Sequence, residues 1–271
     1  MKTVVVVITP EKAQKMLEKN TSNRPVSPSN LKFLCQQLRN DKWMLNGESV
    51  KLSKTSKILD GQHRLMACVK ENKSFETLLT TGINEESMHT MDTGKNRSAS
   101  DVLSLTYGGK YNALTSSIIR FVIYFNYGKY SINSGAKNLD IADNTDILRF
   151  VELHPDIFDF ASMINSFFYK SDKVLTKQLV GGIWWILSKQ KGAPKEVISK
   201  FFNQILFGDN LDRDSPVFLF RKRLIEIKMK TAVYKPTMKQ LIWTTFKVWN
   251  YYNSGKKVNR LRLTDDVVDI Y

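Results

Sequence analysis

Several things are scarce in this chain. Its 271 residues include two cysteines, three histidines, seven prolines, and only 26 acids against 41 lysines and arginines. Cys35 and Cys68 both sit in apolar helical patterns, and neither has a second Cys or a His at ligand spacing. That excludes a disulfide framework and a zinc site, and it reads as two reduced core thiols in a cytoplasmic protein. Long hydrophobic runs are missing too. "LVGGIWWIL", Leu179 to Leu187, is about half of the roughly 20 residues that cross a bilayer. The Val4 to Ile8 run is too short for a secretion signal and has no small-residue cleavage site after it. No membrane partner is expected.

The shortage of acids is uneven. The formal net charge is +15, and from Arg221 to Leu263 there are twelve Lys or Arg and one acid, Glu226, a net of +11. A segment of this kind attracts polyanions, and nucleic acid is the commonest polyanion in a cytosol. Arg221, Lys222, Arg223, Lys256, Lys257 and Arg260 are the candidate DNA contacts. The alternative is a solvated lysine-rich surface. Trp243, Phe246, Trp249, Tyr251 and Tyr252 lie among these cations and could stack on unpaired bases, although aromatics at helical spacing more often form core.

The hydrophobic pattern changes along the chain. Val4 to Ile8 is a β-branched run, hence a strand. Thr9 can cap a helix with Pro10 in its first position, and a second helix is expected from Ser29 or Asn30. "WMLNGESVKLS" predicts a hairpin turning at Asn46-Gly47. "KILDG" is a short strand leading into a helix with Leu65, Met66 and Val69 on its buried face, and "FETLLTTGI" is another strand. Ser98 and Asp101 have the spacing of a capping box. Beyond Tyr111 only helices are expected, apart from a polar loop at "KYSINSGAKNLDIADNT". "TKQLVGGIWWILSKQKG" is apolar nearly all round, which marks a central buried helix whose Gly181-Gly182 pair lets a neighbour approach. The expected fold class is α+β, with an N-terminal domain over 1–108 and a basic α-helical domain over 109–271.

One stretch combines a strand, a tight turn and a helix start: "KILDGQHRLMACVK". The first amides of a helix have no internal partners, and the helix dipole adds positive charge there, so this arrangement is a candidate phosphate site. Gly61 would allow close approach of a ligand. Gln62, His63 and Arg64 bring side-chain donors, and Arg64 can hold a phosphate with two parallel bonds. His63 can move a proton. Asp60 can hold a Mg²⁺ ion that bridges phosphates, or orient His63. Glu48, just after the Asn46-Gly47 turn, is a candidate base or metal ligand. "DTGKNRS" brings Thr93, Lys95 and Arg97 to a second helix entrance, where they can clasp distal phosphates. Against all this stands a plain reading: Asp60-Gly61 is only a turn, Asp60 only a cap, and Arg64 only a surface residue.

As a set, Asn23-Arg24, Trp43-x-x-Asn46-Gly47-Glu48, Asp60-Gly61-Gln62-His63-Arg64 and Asp92-Thr93-Gly94-x-x-Arg97 resemble the nucleotide-binding motifs of the ParB/sulfiredoxin superfamily. The resemblance covers about Ile8 to Leu105. "SPVFLFRKRL" and "KVWNYYNSGKKVNRL" are similar to the tail of phage-type members carrying the DGQHR motif. The resemblance implies a ParB/sulfiredoxin-like N-terminal domain that binds ATP or CTP with Mg²⁺, in a bacterial or phage-infected cell. It also implies a DNA-related role, as an NTPase or kinase-like phosphotransferase or as a non-catalytic regulator, and it leaves a homodimer open. In sulfiredoxins a cysteine within the motif is the nucleophile. Here Gln62 or His63 falls at that place, so that chemistry is not implied. In the kinase branch an acidic residue is the base, a role open to Glu48 or Asp60.

Overall fold

β-branched residues resist helix and favour extended backbone, and the Val-rich start of the chain forms β1 (Lys2–Ile8). The computed structural model describes residues 1–20, 26–90, 98–130, 142–232 and 234–271, with the backbone alone for 88–90. Contacts divide the chain into two units, Met1–Asn96 and Arg97–Tyr271. The expected boundary at 108 is therefore corrected. The helix Ala99–Tyr107 belongs to the second unit, because Ala99 and Leu103 are buried in the same cluster as Ile118, Val122 and Ile157. Among the described residues there are eleven α-helices and one four-stranded sheet, which makes the class α+β.

In the first unit, α1 (Pro10–Leu17) starts as expected, with Thr9 capping it and Pro10 in its first position. α2 (Pro28–Arg39) is capped by Ser27, slightly earlier than its sequence suggested. The expected hairpin at Asn46-Gly47 does not form. Asn46 Oδ1 accepts the Glu48 amide at 3.1 Å, and Gly47 takes a left-handed φ of +84° in a loop that leads into β2 (Ser49–Ser53). The hairpin is instead β2 with β3 (Ile58–Asp60), antiparallel, with Lys51 opposite Asp60 and a register shift just after it. Gly47 does turn the chain, but the residues immediately before Asn46 form no strand to pair with β2. α3 (Gln62–Glu71) follows, then β4 (Phe75–Ile83). The sheet order is β1-β4-β2-β3, with β4 antiparallel to β1 and parallel to β2.

The core of this unit joins Ile8, Val50, Ile58 and Phe75 from the sheet to Ala13, Cys35, Leu38, Leu65, Ala67 and Cys68 from the helices. Burial holds both thiols above their ordinary range, and Cys68 reaches about 11. They stay protonated and inert at neutral pH, as expected of core cysteines. Arg39 grips Glu71 through two 2.8 Å bonds, tying α2 to α3 and holding the Glu71 carboxyl below the usual carboxylate range.

The second unit is helical: α4 (Ala99–Tyr107), α5 (Asn112–Asn126), α6 (Asn144–Leu153), α7 (Ile157–Phe167), α8 (Lys177–Trp185), α9 (Lys195–Phe207), α10 (Pro216–Lys228) and α11 (Met238–Asn253). The Ser98–Asp101 capping box is present. Of the expected polar loop, 131–141 lies outside the described residues. α8 is the buried centre, with every residue from Leu179 to Trp185 enclosed. A β-carbon on Gly181 would stand 2.6 Å from Ile118 Cδ1, and one on Gly182 would overlap the Phe121 ring. The glycine pair therefore sets the distance between α5 and α8. After α11 the chain doubles back without regular structure. Thr264 N donates to Thr244 Oγ1 at 2.9 Å, Trp249 Nε1 donates to the Tyr271 carbonyl at 3.1 Å, and Leu261, Leu263, Val268 and Ile270 pack on the core.

Because a ring cannot give way as a flexible chain end can, Gly182→Ala is expected to lower stability by about 1–3 kcal/mol. Urea unfolding of the full chain checks this; an unchanged midpoint contradicts the close α5–α8 approach.

Candidate functional site

The bends on either side of Asp60 decide what lies at the mouth of α3. Gly61 has φ +98°, and a β-carbon there would press on Val50 at 3.0 Å. Glycine is thus required by backbone conformation and by packing on β2, before any ligand is considered. Asp60 Oδ1 accepts the Gly61 N–H at 2.6 Å, while Asp60 Oδ2 pairs with Lys51 Nζ at 2.9 Å across the hairpin and lies 3.9 Å from Arg64 Nη2. The carboxylate beside this helix start is the chain's own.

Arg64 is equally engaged. Its Nη1 donates to the Ser49 carbonyl at 3.0 Å and its Nη2 to Glu48 Oε2 at 3.2 Å. The Arg64 side chain is 16% exposed and that of Glu48 is 65% exposed. The three partners differ in kind. Ser49 O is fixed backbone and Asp60 is held from two other directions, but Glu48 is an exposed surface side chain whose pairing contributes on the order of 1 kcal/mol or less.

Gln62 and His63 face inward. Gln62 Oε1 accepts from Asn20 Nδ2 at 3.1 Å, and His63 Nε2 accepts the Ser27 backbone N–H at 2.9 Å. Both residues are buried. They fasten to α3 the two ends of the chain that flank residues 21–25. Since Nε2 is the acceptor, a neutral His63 carries its proton on Nδ1. The expectation that His63 moves a proton to a ligand is corrected for Nε2, whose lone pair is already used.

A resident Mg²⁺ on Asp60 does not fit. Both carboxylate oxygens have donors, two cations stand alongside, and the described residues contain no group of three or more His, Cys, Asp or Glu placed for a metal. Asn23, Arg24, Asp92, Thr93, Lys95 and Arg97 lie outside the described residues. Reading the sequence missed Lys51, Asn20 and Ser27. Of these only Lys51 had a signal, an alternate position on a strand that a short turn returns opposite Asp60.

The basic segment divides into two kinds of residue. Arg221 is corrected as a DNA contact. It is 9% exposed and donates to the Ile205 carbonyl near the end of α9 and to Asp172. A cation at a helix C-terminus answers its unpaired carbonyls and its dipole. Arg223 is half-buried, paired with Glu226 at 3.0 Å and set over the Tyr234 ring. Lys222, Lys256, Lys257 and Arg260 are exposed. Lys256 covers Tyr251 at 4.8 Å, and Lys257 comes within 3.9 Å of Asp214. Trp243, Phe246 and Trp249 are core. His154 packs against Phe150 and Trp185, and the His89 side chain is outside the described residues. No described helix is long and apolar enough to cross a membrane.

No family model, curated protein or solved structure matches this chain. The resemblance to ParB-like proteins therefore rests on the motif residues alone.

Arg64→Ala leaves Ser49 O without its side-chain donor, removes the positive charge beside Asp60, and is expected to destabilise the first unit by about 1–3 kcal/mol. Glu48→Ala removes only an exposed partner and costs less than about 1 kcal/mol. Hydrogen exchange of the α3 and β2–β3 amides separates the two; equal effects from both variants contradict the ranking.

Proposed function

We propose that this chain is a non-catalytic polyanion-binding protein with a DNA-related role, whose second unit carries the binding surface. One observation carries the reading. The segment from Arg221 to Leu263 holds a single acid, and Lys222, Lys256, Lys257 and Arg260 within it are exposed. Residues 256–262 leave α11 and run into a tail stitched to the same helix, so these cations ride on anchored backbone. Phosphates binding there release counterions, which makes affinity fall with salt. The residues offered as catalytic groups support binding over turnover. Asp60 and the His63 Nε2 atom have internal partners, and Glu48 is an exposed ion-pair partner.

A second reading, nucleotide binding at α3, is favoured by the exposure of Glu48. In it the first unit is a ParB/sulfiredoxin-like domain. A phosphate of ATP or CTP takes the place of the Glu48 carboxylate on Arg64 Nη2, with Lys51 as the nearby second cation. The phosphate competes with Asp60 for both cations, so affinity depends on how readily Glu48 leaves.

Duplex DNA titrated against the full chain tests the first reading. Lys256→Glu with Lys257→Glu and Arg260→Glu is expected to abolish most binding. The slope of log affinity against log salt should become shallower by about 0.9 for each phosphate that the protein no longer neutralises. Absence of binding at low salt, or an equal loss from reversing Lys12 and Lys15 on α1, overturns the reading.

A further inference from the structure

In the second unit the ends of four helices surround a cleft of about 690 Å³, within the usual span for small-molecule sites. α4 and α6 end there, and α5 and α7 begin there, so the helix dipoles oppose one another and the side chains set the local charge. The wall carries three rings, Tyr107, Tyr111 and Phe158, with Tyr107 and Phe158 at 5.6 Å. It also carries Glu152, Asp159 and Lys110. Among the described residues neither carboxylate has an ion-pair or side-chain hydrogen-bond partner. In a chain of net charge +15 this cleft has two acids to one base.

The loop that closes it is built against local preference at Tyr111. Gly108, Gly109 and Tyr111 all have left-handed φ, +65°, +84° and +63°. For tyrosine that conformation is uncommon and unfavourable, and such strain gathers at ligand sites. Asn112 holds the loop from beneath. Its Nδ2 donates to Ser104 Oγ at 2.7 Å, to Gly108 O at 3.0 Å and to Gly109 O at 3.4 Å, while its buried Oδ1 has no partner. Three oxygens around one side-chain atom fix that atom as the nitrogen. The result is a rigid rim that places Tyr111 on the cleft at the expense of one unsatisfied carbonyl.

We propose that this cleft binds a small organic amine cation, one or more protonated amines on an apolar body. The rings cover the body and attract the cation through their faces, and Glu152 and Asp159 take the ammonium groups. The same carboxylates repel phosphate, so the cleft is separate from the DNA surface and does not depend on it.

Calorimetric titration of the full chain with spermidine and with phenethylamine tests this, one probe carrying an aliphatic body and the other an aromatic one. Saturable binding of either is expected. Glu152→Gln with Asp159→Asn should weaken it at least about tenfold, and Tyr111→Gly, which keeps the left-handed backbone and removes the ring, should weaken it while the fold persists by circular dichroism. Both acids are exposed, so their replacement leaves the core intact. No saturable binding of either probe up to about 10 mM, or equal affinity in the double variant, overturns the proposal.

Discussion

Asp60 sets its carboxylate against the Gly61 N–H and the Lys51 ammonium, two residues before α3 begins. Much of the first unit follows from that contact. It fixes the β2–β3 register at Lys51, orients the left-handed turn at Gly61, and gives Arg64 a neighbouring charge while its guanidinium holds the β2 backbone at Ser49. Gln62 and His63, the next two residues, anchor Asn20 and Ser27. Five consecutive residues thereby join β2, β3, α3, the segment after α1 and the cap of α2. A histidine and an arginine at the mouth of a helix are explained by this stitching before any ligand is considered.

Such a hub bears on function through what it leaves free. Cations held by backbone and by a doubly bonded carboxylate are rigid, and rigid cations are well placed to select a phosphate. They are also already compensated, which lowers the gain from binding one. Glu48 is the exposed member of the group, paired with Arg64 at 3.2 Å. In the second unit the charges lie over a large aromatic core, so its surface can vary without disturbing the packing beneath.

Periodicity made much of this legible. The apolar stretch around Gly181-Gly182 announced a buried helix with a close neighbour, and α5 lies against it. Pro10, Ser98 and Asp101 marked helix starts by their capping chemistry. Pairing partners were not legible, because they depend on which strands meet. The Asn46-Gly47 signal pointed to a hairpin that β3 supplies elsewhere, and Arg221 looked like its neighbours although Ile205 O and Asp172 claim it. The sequence placed Arg64 correctly at the start of α3 but could not show that Glu48, sixteen residues earlier, meets it. The amine cleft was hidden for the same reason: Tyr107 and Tyr111 come together with Phe158 and Asp159 only once α4 to α7 have packed.

The nucleotide reading at α3 depends on Glu48 and the guanidinium of Arg64 occupying one another. Titration of the wild-type chain and of Glu48→Gln with ATP and with CTP tests it most directly. Removing the competing charge should raise affinity by up to about fivefold over weak wild-type binding, and the gain should vanish when Arg64→Ala is added. Tight wild-type binding that Glu48→Gln leaves unchanged or weakens would contradict it.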